Sequence, residues 1–360
     1  MDKIKVLIVA DWHGKIYAQA FYDGFKSLGY DTYKFSWKEY FKHYQYTNRY
    51  ETDDNKLKSL YYKIQNKFLV GPVIWKINND LIKQCKEMKP NLVFIYRGTH
   101  IYPETIKTIK DMGSKVFGYN NDDPFSLECK SYMWRYYKKS IPYYNHIFSY
   151  RNKNIDDYKS IGYDKVSILR SYYLEKSNFY IKNIENHKYK CDVIFIGHFE
   201  DDGRDDTIKL LLDNNIDIKI FGTEWEKSKF YNFFINKLGI IKPLYNDYNL
   251  ALNSAKIALV FLSKLNNDTY TRRCFEIPAT RTMMMSEYTY DLNSMFKEAK
   301  EAEYFRNKDE LLQKVKFYLA NEDKLNEIGI NGYKRLMNDG HEVLERCREI
   351  VEVYNNECTK

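Results

Sequence analysis

The amino-acid sequence predicts an α/β protein of two doubly wound, Rossmann-like domains followed by a helical C-terminal tail. Three observations carry this. Short apolar, β-rich runs alternate with helix-period segments between Lys3 and Leu169, the pattern of parallel strands joined by crossover helices. The alternation starts afresh at Cys191 and runs to Ser286. The chain has 360 residues, 44% of them hydrophobic, too many for one ordinary core and enough to fill two.

In the first half, Lys3–Ala10 is a buried-type parallel strand, because such strands are apolar on both faces. A turn at Asp11–Gly14 leads into a helix over Ile16–Leu28, and Asp31–Trp37 is a second strand. Residues 38–70 are rich in Tyr and Lys and are expected to form helices that decorate the sheet. Pro72–Met88 is a helix that opens on its proline, where the missing N–H costs nothing. Strands follow at Asn91–Tyr96, Lys115–Tyr119, His146–Tyr150 and Lys165–Leu169, with a helix at Tyr102–Met112.

In the second half, strands are expected at Cys191–Ile196, Ile216–Phe221, Ile257–Leu262 and Thr282–Ser286. Helices fall at Thr207–Leu212, Tyr248–Ala255 and Arg273–Thr280, and the pattern beyond Asn307 is helical to about Tyr354. Met283–Met285 reads as core. The polar segment Glu175–Lys190 holds the boundary, giving domains at 1–180 and 181–360.

Composition narrows the function classes. The apolar run at the N-terminus stops at Asp11, short of a secretory signal core. Cys85, Cys129, Cys191, Cys274, Cys347 and Cys358 form no CxxC pair, which suits reduced thiols in a cytoplasm and argues against a zinc site. Residues 1–186 carry 31 Lys and Arg against 20 Asp and Glu, a balance of +11, while the remainder carries 26 against 29. The basic half fits an acidic acceptor, peripheral contact with the inner face of a membrane, or a nucleic-acid backbone. It fits a merely soluble Lys-rich surface equally well. No nucleic-acid motif supports the nucleic-acid option. Neither a GxGxxG fingerprint after Ala10 nor a P-loop is present, which weakens dehydrogenase and NTPase readings.

In an open parallel sheet ligands gather at the carboxyl ends of the strands, and four such places carry suggestive residues. Asp11-Trp12-His13-Gly14 follows the first strand, with a glycine for a tight turn and a histidine able to act as a base. Asp122 and Asp123 precede Pro124. Either could orient a hydroxyl or take its proton, or cap a helix beginning near Phe125. Gly197 and His198, with Arg204 at a helix start, suit a diphosphate, although Glu200–Asp202 would repel an anion. Arg272 and Arg273 sit at another helix start with Glu276 one turn on. The arginines could meet diphosphate charge and Glu276 ribose hydroxyls, or Glu276 could simply pair with an arginine. Tyr245 and Tyr248 offer stacking surfaces for a base.

The stretch from Arg272 to about Tyr354 resembles the spore-maturation CgeB-type glycosyltransferase-like family, which has the GT-B fold. The matching landmarks are RRCFEIPAT (Arg272–Thr280), MMMSEYTYDL (Met283–Leu292), EAEYF (Glu301–Phe305), DELLQKVKFYLAN (Asp309–Asn321), IGINGYKRL (Ile328–Leu336) and GHEVLERC (Gly340–Cys347). IGHFEDDGR (Ile196–Arg204) fits the start of the family's C-terminal domain, and the first half matches only in outline.

The resemblance implies two domains facing across a cleft and metal-independent transfer from a nucleotide-diphospho-sugar co-substrate, with no further cofactor. The donor would bind the C-terminal domain, and a glycan, protein or small-molecule acceptor would enter from the N-terminal one. Glu276 corresponds to the family glutamate that bonds the donor ribose. Asp268 occupies the first position of an E-x7-E-like spacing, as Asp instead of Glu. Arg281 stands where many relatives carry glycine and is expected to fill phosphate space, reach the donor or alter the donor preference. Glu287 is expected to touch a donor sugar hydroxyl. The catalytic candidates are Arg273 on the donor side and Asp123 or His13 as the base if the reaction inverts. Asp11, Trp12, Gly14 and Asp122 fall on the acceptor side. The rival readings are a non-catalytic spore or surface assembly protein and a DNA-modifying glycosyltransferase.

Overall fold

A computed structural model describes residues 3–44, 56–127, 131–184 and 188–359. The chain divides into two compact units, residues 1–170 with 343–360, and residues 171–342.

The first unit is built on strands β1 (Lys5–Ala10), β2 (Asp31–Ser36), β3 (Leu92–Tyr96), β4 (Lys115–Asn120), β5 (His146–Ser149) and β6 (Val166–Ile168). They form one all-parallel sheet in the order β2-β1-β3-β4-β5-β6. The helices are α1 (Ala18–Ser27), α2 (Lys56–Phe68), α3 (Pro72–Met88), α4 (Pro103–Asp111), α5 (Arg135–Ser140) and α6 (Asn152–Ser160). Val6 to Ala10 and Leu92 to Ile95 are buried on both faces, which is why these strands read as unbroken apolar runs. Leu7, Val9, Ile95, Ile106, Trp134 and Ile147 lie in one continuous core.

The second unit repeats the theme with β7 (Cys191–Ile196), β8 (Ile218–Phe221), β9 (Ala255–Val260), β10 (Met283–Glu287) and β11 (Glu303–Phe305). The order is β11-β10-β9-β7-β8, again parallel throughout. Its helices are α7 (Arg204–Asp213), α8 (Tyr231–Leu238), α9 (Tyr248–Asn253), α10 (Arg273–Ala279), α11 (Tyr290–Met295), α12 (Lys308–Ala320) and α13 (Glu322–Asn338). Met283, Met284 and Met285 are core, as their sequence suggests.

The last helix, α14 (Val343–Cys358), packs on α1 of the first unit, where the Cys347 thiol meets the Phe21 carbonyl. A division by sequence position alone, at 180/181, would leave this helix with the second domain. Contacts place the break at 170/171 and return the helix to the first unit.

Two further differences have local causes. The helix expected near Phe125 is a turn, because Pro124 and the Asp123 side chain close the chain tightly there. The short strand β11 and helix α8 escape pattern reading because each is too brief to establish a period. Cys85, Cys191, Cys274 and Cys347 are buried thiols and Cys358 is exposed; Cys129 lies outside the described residues. Among the described residues no helix is long and apolar enough to cross a membrane.

Candidate functional site

The carboxyl edge of the second sheet is where the sequence concentrates its candidates. Gly197 ends β7, and its carbonyl lies so close to Gly222, after β8, that a Cβ on Gly222 would sit 1.9 Å from that oxygen. Gly222 also holds φ at +153°, outside the range of other residues. The Trp225 indole donates to the Gly197 carbonyl at 3.0 Å. Arg273 lies beneath the same strand end, donating from Nη1 to the Ile196 carbonyl at 3.0 Å and placing that nitrogen 2.8 Å from where a Gly197 Cβ would stand. The Arg273 Nε is buried without a hydrogen-bond partner. A guanidinium with an unspent donor at a strand end can meet an anion.

Glu276, in the first turn of α10, is buried. Its Oε2 accepts from the Tyr248 hydroxyl at 2.7 Å and its Oε1 from Arg272 Nε at 2.9 Å. The Arg272 guanidinium lies over the Tyr172 ring at 4.3 Å. The ion pair that the sequence allowed between Glu276 and an arginine is therefore present. It leaves lone pairs on both carboxylate oxygens for further donors. Burial drives the Tyr248 hydroxyl far above its usual pKa and the Glu276 charge adds to it, so Tyr248 remains a donor. Tyr248 thus positions Glu276, while Tyr245 stands 80% exposed in the preceding loop, open to stacking.

Glu287, at the end of β10, accepts from the Leu262 amide at 2.6 Å and pairs with Lys264 at 3.1 Å. It fixes the loop after β9, whose further course carries Asp268. His198 is exposed and bonds Glu200 at 2.8 Å.

Arg204 requires a correction. Its guanidinium is 2% exposed and chelated by Asp202 at 2.8 and 2.6 Å, with a third bond to the His198 carbonyl at 2.7 Å. An arginine enclosed in this way holds its own loop and presents almost no surface to a diphosphate. Asp202 and Glu200 of the acidic run are turned to this arginine, which offsets their charge. Glu200, which the sequence did not single out, also accepts from His198 and from Ser263 at 3.0 Å. Burial raises the Glu200 carboxyl, but His198, Arg204 and Ser263 outweigh it and hold the pKa below the ordinary value.

Arg281 is also corrected. It precedes β10 and therefore lies at the amino edge of a parallel sheet, opposite Glu287. Its guanidinium stacks on Tyr180 and Tyr333 at 4.4 and 4.6 Å. Its backbone keeps φ at +61°, the conformation in which glycine is expected. The side chain has a packing role away from the ligand edge.

In the first unit the ends of β1, β3 and β4 carry the corresponding groups. The Asp11 carboxylate bonds the His13 ring nitrogen Nδ1 at 2.6 Å and its amide at 3.2 Å. Burial raises the Asp11 carboxyl, but His13 and then Arg97 outweigh it and hold it low. With Nδ1 turned to the carboxylate, the Nε2 of His13 is the nitrogen left for a substrate proton. Trp12 donates to the Phe35 carbonyl at 2.8 Å and carries Lys34 over its ring at 4.6 Å. Gly14 closes the turn at φ +73°. Asp122 pairs with Arg97 at 3.0 Å. Arg97 and Trp12 both hold left-handed backbone at strand ends, at φ +55° and +58°, a strain of about 1 kcal/mol or more each. The sequence reading passed over Arg97, although the strand-end rule applied to NLVFIY points straight at it.

Asp123 is the third correction. It is fully buried, accepting from the Phe125 amide at 2.9 Å and from Asn154 Nδ2 at 2.7 Å. It closes the turn and anchors α6, and a group with no exposure cannot collect a substrate proton. His13 remains as the base candidate.

A cavity of about 880 Å³ opens beside these strand ends, with Trp37, Ile64, Lys67, Arg97, Thr99 and His100 in its wall. His100 stacks on Trp37 at 3.7 Å and bonds Asn66 at 2.8 Å. Burial and then Arg97 push its pKa down to about 3, so it is neutral. Among the described residues no group of three or more His, Cys, Asp or Glu is placed to hold a metal ion.

This architecture is the GT-B fold of glycosyltransferases. Residues 204–352 match the glycosyl transferase-like family, a stretch that contains Arg272, Arg273, Glu276 and Glu287. Sucrose-phosphate synthase from Thermosynechococcus elongatus is similar over 98% of this chain and 99% of its own, at 9% identity and a TM-score of 0.69. A glycosyltransferase from Rickettsia africae aligns over 99% of both chains at 12% identity and 0.68. Anabaena HepE, in complex with UDP and glucose, aligns over 98% of this chain and all of its own at 9% identity and 0.65. No curated protein matches the sequence.

Proposed function

We propose that the protein moves a sugar from a nucleotide-diphospho-sugar to an acceptor, as a GT-B glycosyltransferase of the CgeB type. The observation that carries this is Glu276. It is a buried carboxylate at the ligand edge, oriented by Tyr248 and Arg272, within the segment that matches the glycosyl transferase-like family. A carboxylate so fixed suits two vicinal hydroxyls, and ribose presents such a pair. HepE, of the same fold, holds UDP and glucose, which supports a nucleotide donor.

In the reaction the bond between the anomeric carbon and a diphosphate oxygen breaks, and one to an acceptor oxygen forms. Negative charge grows on the departing diphosphate. Arg273, with its unspent Nε, and Arg272 are the cations at this edge to stabilise it, without need of a metal. His13, steered by Asp11, is the base for an inverting reaction. For a retaining one, Asp268 is the carboxylate at the E-x7-E-like position. The acceptor side comprises Asp11–Gly14 and the Arg97–Asp122 pair.

A second reading, a fold kept without chemistry for a binding or assembly role, draws on one observation. Arg204, Glu200, Glu287 and Glu276 are each already held by neighbouring side chains or backbone of the same unit.

The deciding experiment follows nucleoside-diphosphate release from UDP-, GDP-, CDP- and dTDP-sugars, with and without divalent metal and with pooled acceptors. Release from one donor, lost in Glu276→Ala and Arg273→Ala, is the expected result. Folded variants that keep full activity would remove the assignment. No release and no binding of any nucleotide would leave the scaffold reading.

A further inference from the structure

Helix α2 is turned the wrong way out for a helix that belongs only to a soluble surface. Leu57, Leu60, Tyr61, Ile64 and Phe68 recur at spacings of three and four residues, which places them on one face. Such a stripe ordinarily faces the core. Here all five are exposed, Leu57 at 80% and the others between 42% and 51%. The inward positions are polar instead. Ser59 and Gln65 are buried, and the Gln65 Oε1 accepts from the Val73 amide at 2.8 Å to tie α2 to α3. Only Tyr62 supplies an apolar contact to the core from this side. Just beyond the helix, Val70 at 39% and Trp75 at 64% extend the exposed apolar surface.

The charges agree with the same orientation. The helix contains Lys56, Lys58, Lys63 and Lys67 and no acidic residue. At 100° per residue, Lys63 and Lys67 fall along one flank of the stripe and Lys58 along the other. Lys67 already lies over the Phe68 ring at 5.4 Å. An apolar face bordered on both sides by long cationic side chains is the pattern of a helix lying in a lipid interface. There the stems cover hydrocarbon and the ammonium groups reach the headgroups. A water-facing helix has no use for the stripe, and a protein partner of ordinary composition does not call for lysines on both borders with no acid among them.

We propose that α2 is a membrane-docking helix that seats the first unit on an anionic lipid surface, with Leu57, Leu60, Tyr61, Ile64 and Phe68 inserted and the lysines on phosphate. The helix also supplies Leu60, Ile64 and Phe68 to the rim of the 880 Å³ cavity. The docked face therefore adjoins an opening lined by Lys67, Arg97 and Trp37. The proposal concerns binding alone and does not depend on the chemistry assigned to the second unit.

The test is co-sedimentation of the full chain with vesicles of phosphatidylcholine, or of phosphatidylcholine mixed with phosphatidylglycerol, at low and high salt. The chain is expected to pellet with the anionic vesicles, to bind neutral ones weakly, and to be released by salt. Ile64→Ser and Phe68→Ser should each weaken vesicle binding roughly tenfold, from the apolar area they remove. Because both side chains are exposed, the variants should keep the parent Tm and the parent nucleotide binding. Equal binding by parent and variants, or no binding to anionic vesicles at low salt, would overturn the proposal. So would a parent that sediments as a dimer and variants that sediment as monomers, since a second copy would then cover the stripe.

Discussion

At the carboxyl edge of the second sheet, Arg204 is 2% exposed, Glu276 is buried, and Glu200 and Glu276 are held by partners on neighbouring segments. At the same edge of the first sheet, His13 is 43% exposed, and Arg97 and Asp122 meet in a half-open pair. The two sheets share parallel topology, and both collect charged residues where the strands end. One edge is locked before any ligand arrives, whereas the other keeps its groups within reach of solvent. A carboxylate already oriented, as Glu276 is by Tyr248 and Arg272, suits an invariant ligand part such as a nucleoside, because it needs no reorganisation. The looser edge suits an acceptor whose shape the protein must accommodate.

The sharpest way to break this comparison is at the glycines. A Cβ on Gly222 would meet the Gly197 carbonyl at 1.9 Å, and Gly222 needs its positive φ. Gly222→Ala should therefore cost about 3 kcal/mol in urea unfolding and displace the whole edge. In the first unit a Cβ on Gly14 would find its nearest neighbour at 3.5 Å. Gly14→Ala should cost only about 1 kcal/mol, the backbone term alone. Equal costs would show that the two edges are equally rigid.

Next in size is Glu276→Gln, which keeps the shape and removes the charge. It should lower kcat/KM for the donor roughly 10- to 100-fold, the worth of a charged hydrogen bond or two. A change confined to the acceptor KM would move Glu276 to the other side of the reaction.

The first unit should carry the steeper acid sensitivity near neutrality. His100 takes up a proton in the unfolded chain near its ordinary pKa, but in the folded state only near 3. Between those values the unfolded state binds more protons, so stability falls as pH drops, by about 1.4 kcal/mol per unit. His100→Phe should flatten that slope. Glu200 acts in the second unit and lower down. Its folded pKa is depressed, so its contribution is full above the ordinary carboxylate value and lost as pH falls through the folded one. Glu200→Gln should flatten only the acid limb. Identical pH profiles for the two variants would contradict the separation.

The smallest effects distinguish Asp123 from His13, the two bases the sequence offers. Asp123→Asn should cost about 1 kcal/mol and leave turnover of the folded protein unchanged, because the buried carboxylate closes the turn, accepts from the Asn154 amide and pairs with Lys153 at 3.8 Å, all within its own loop and α6. His13→Gln should do the reverse, sparing stability to within about 0.5 kcal/mol while lowering turnover.

These residues also show what was legible in the sequence. The strands β1 and β3, and β7 and β9 beyond their first two residues, announce themselves because burial on both faces demands apolar runs. The site segment Arg272–Glu276 stood out because charged residues at a helix start after a buried strand have a limited choice of roles. Arg204 and Asp123 misled for one reason. The residue type and position suit catalysis, but whether a side chain is already enclosed depends on neighbours such as Asp202 and Asn154, whose directions the sequence does not give. Arg281 misled differently, because its place on the amino edge follows from strand direction, which motif matching ignores. The stripe of α2 lies within the Tyr- and Lys-rich residues 38–70, where the sequence suggests only decorating helices, and the fold reveals that the stripe faces away from the core.

The most direct measurement is calorimetric titration of the full chain, its Glu276→Gln variant and its His13→Gln variant with nucleoside diphosphates. Binding of one nucleotide by the parent and His13→Gln, weakened roughly tenfold or more in Glu276→Gln, is the expected outcome. Equal binding by all three proteins would contradict a donor site built on Glu276.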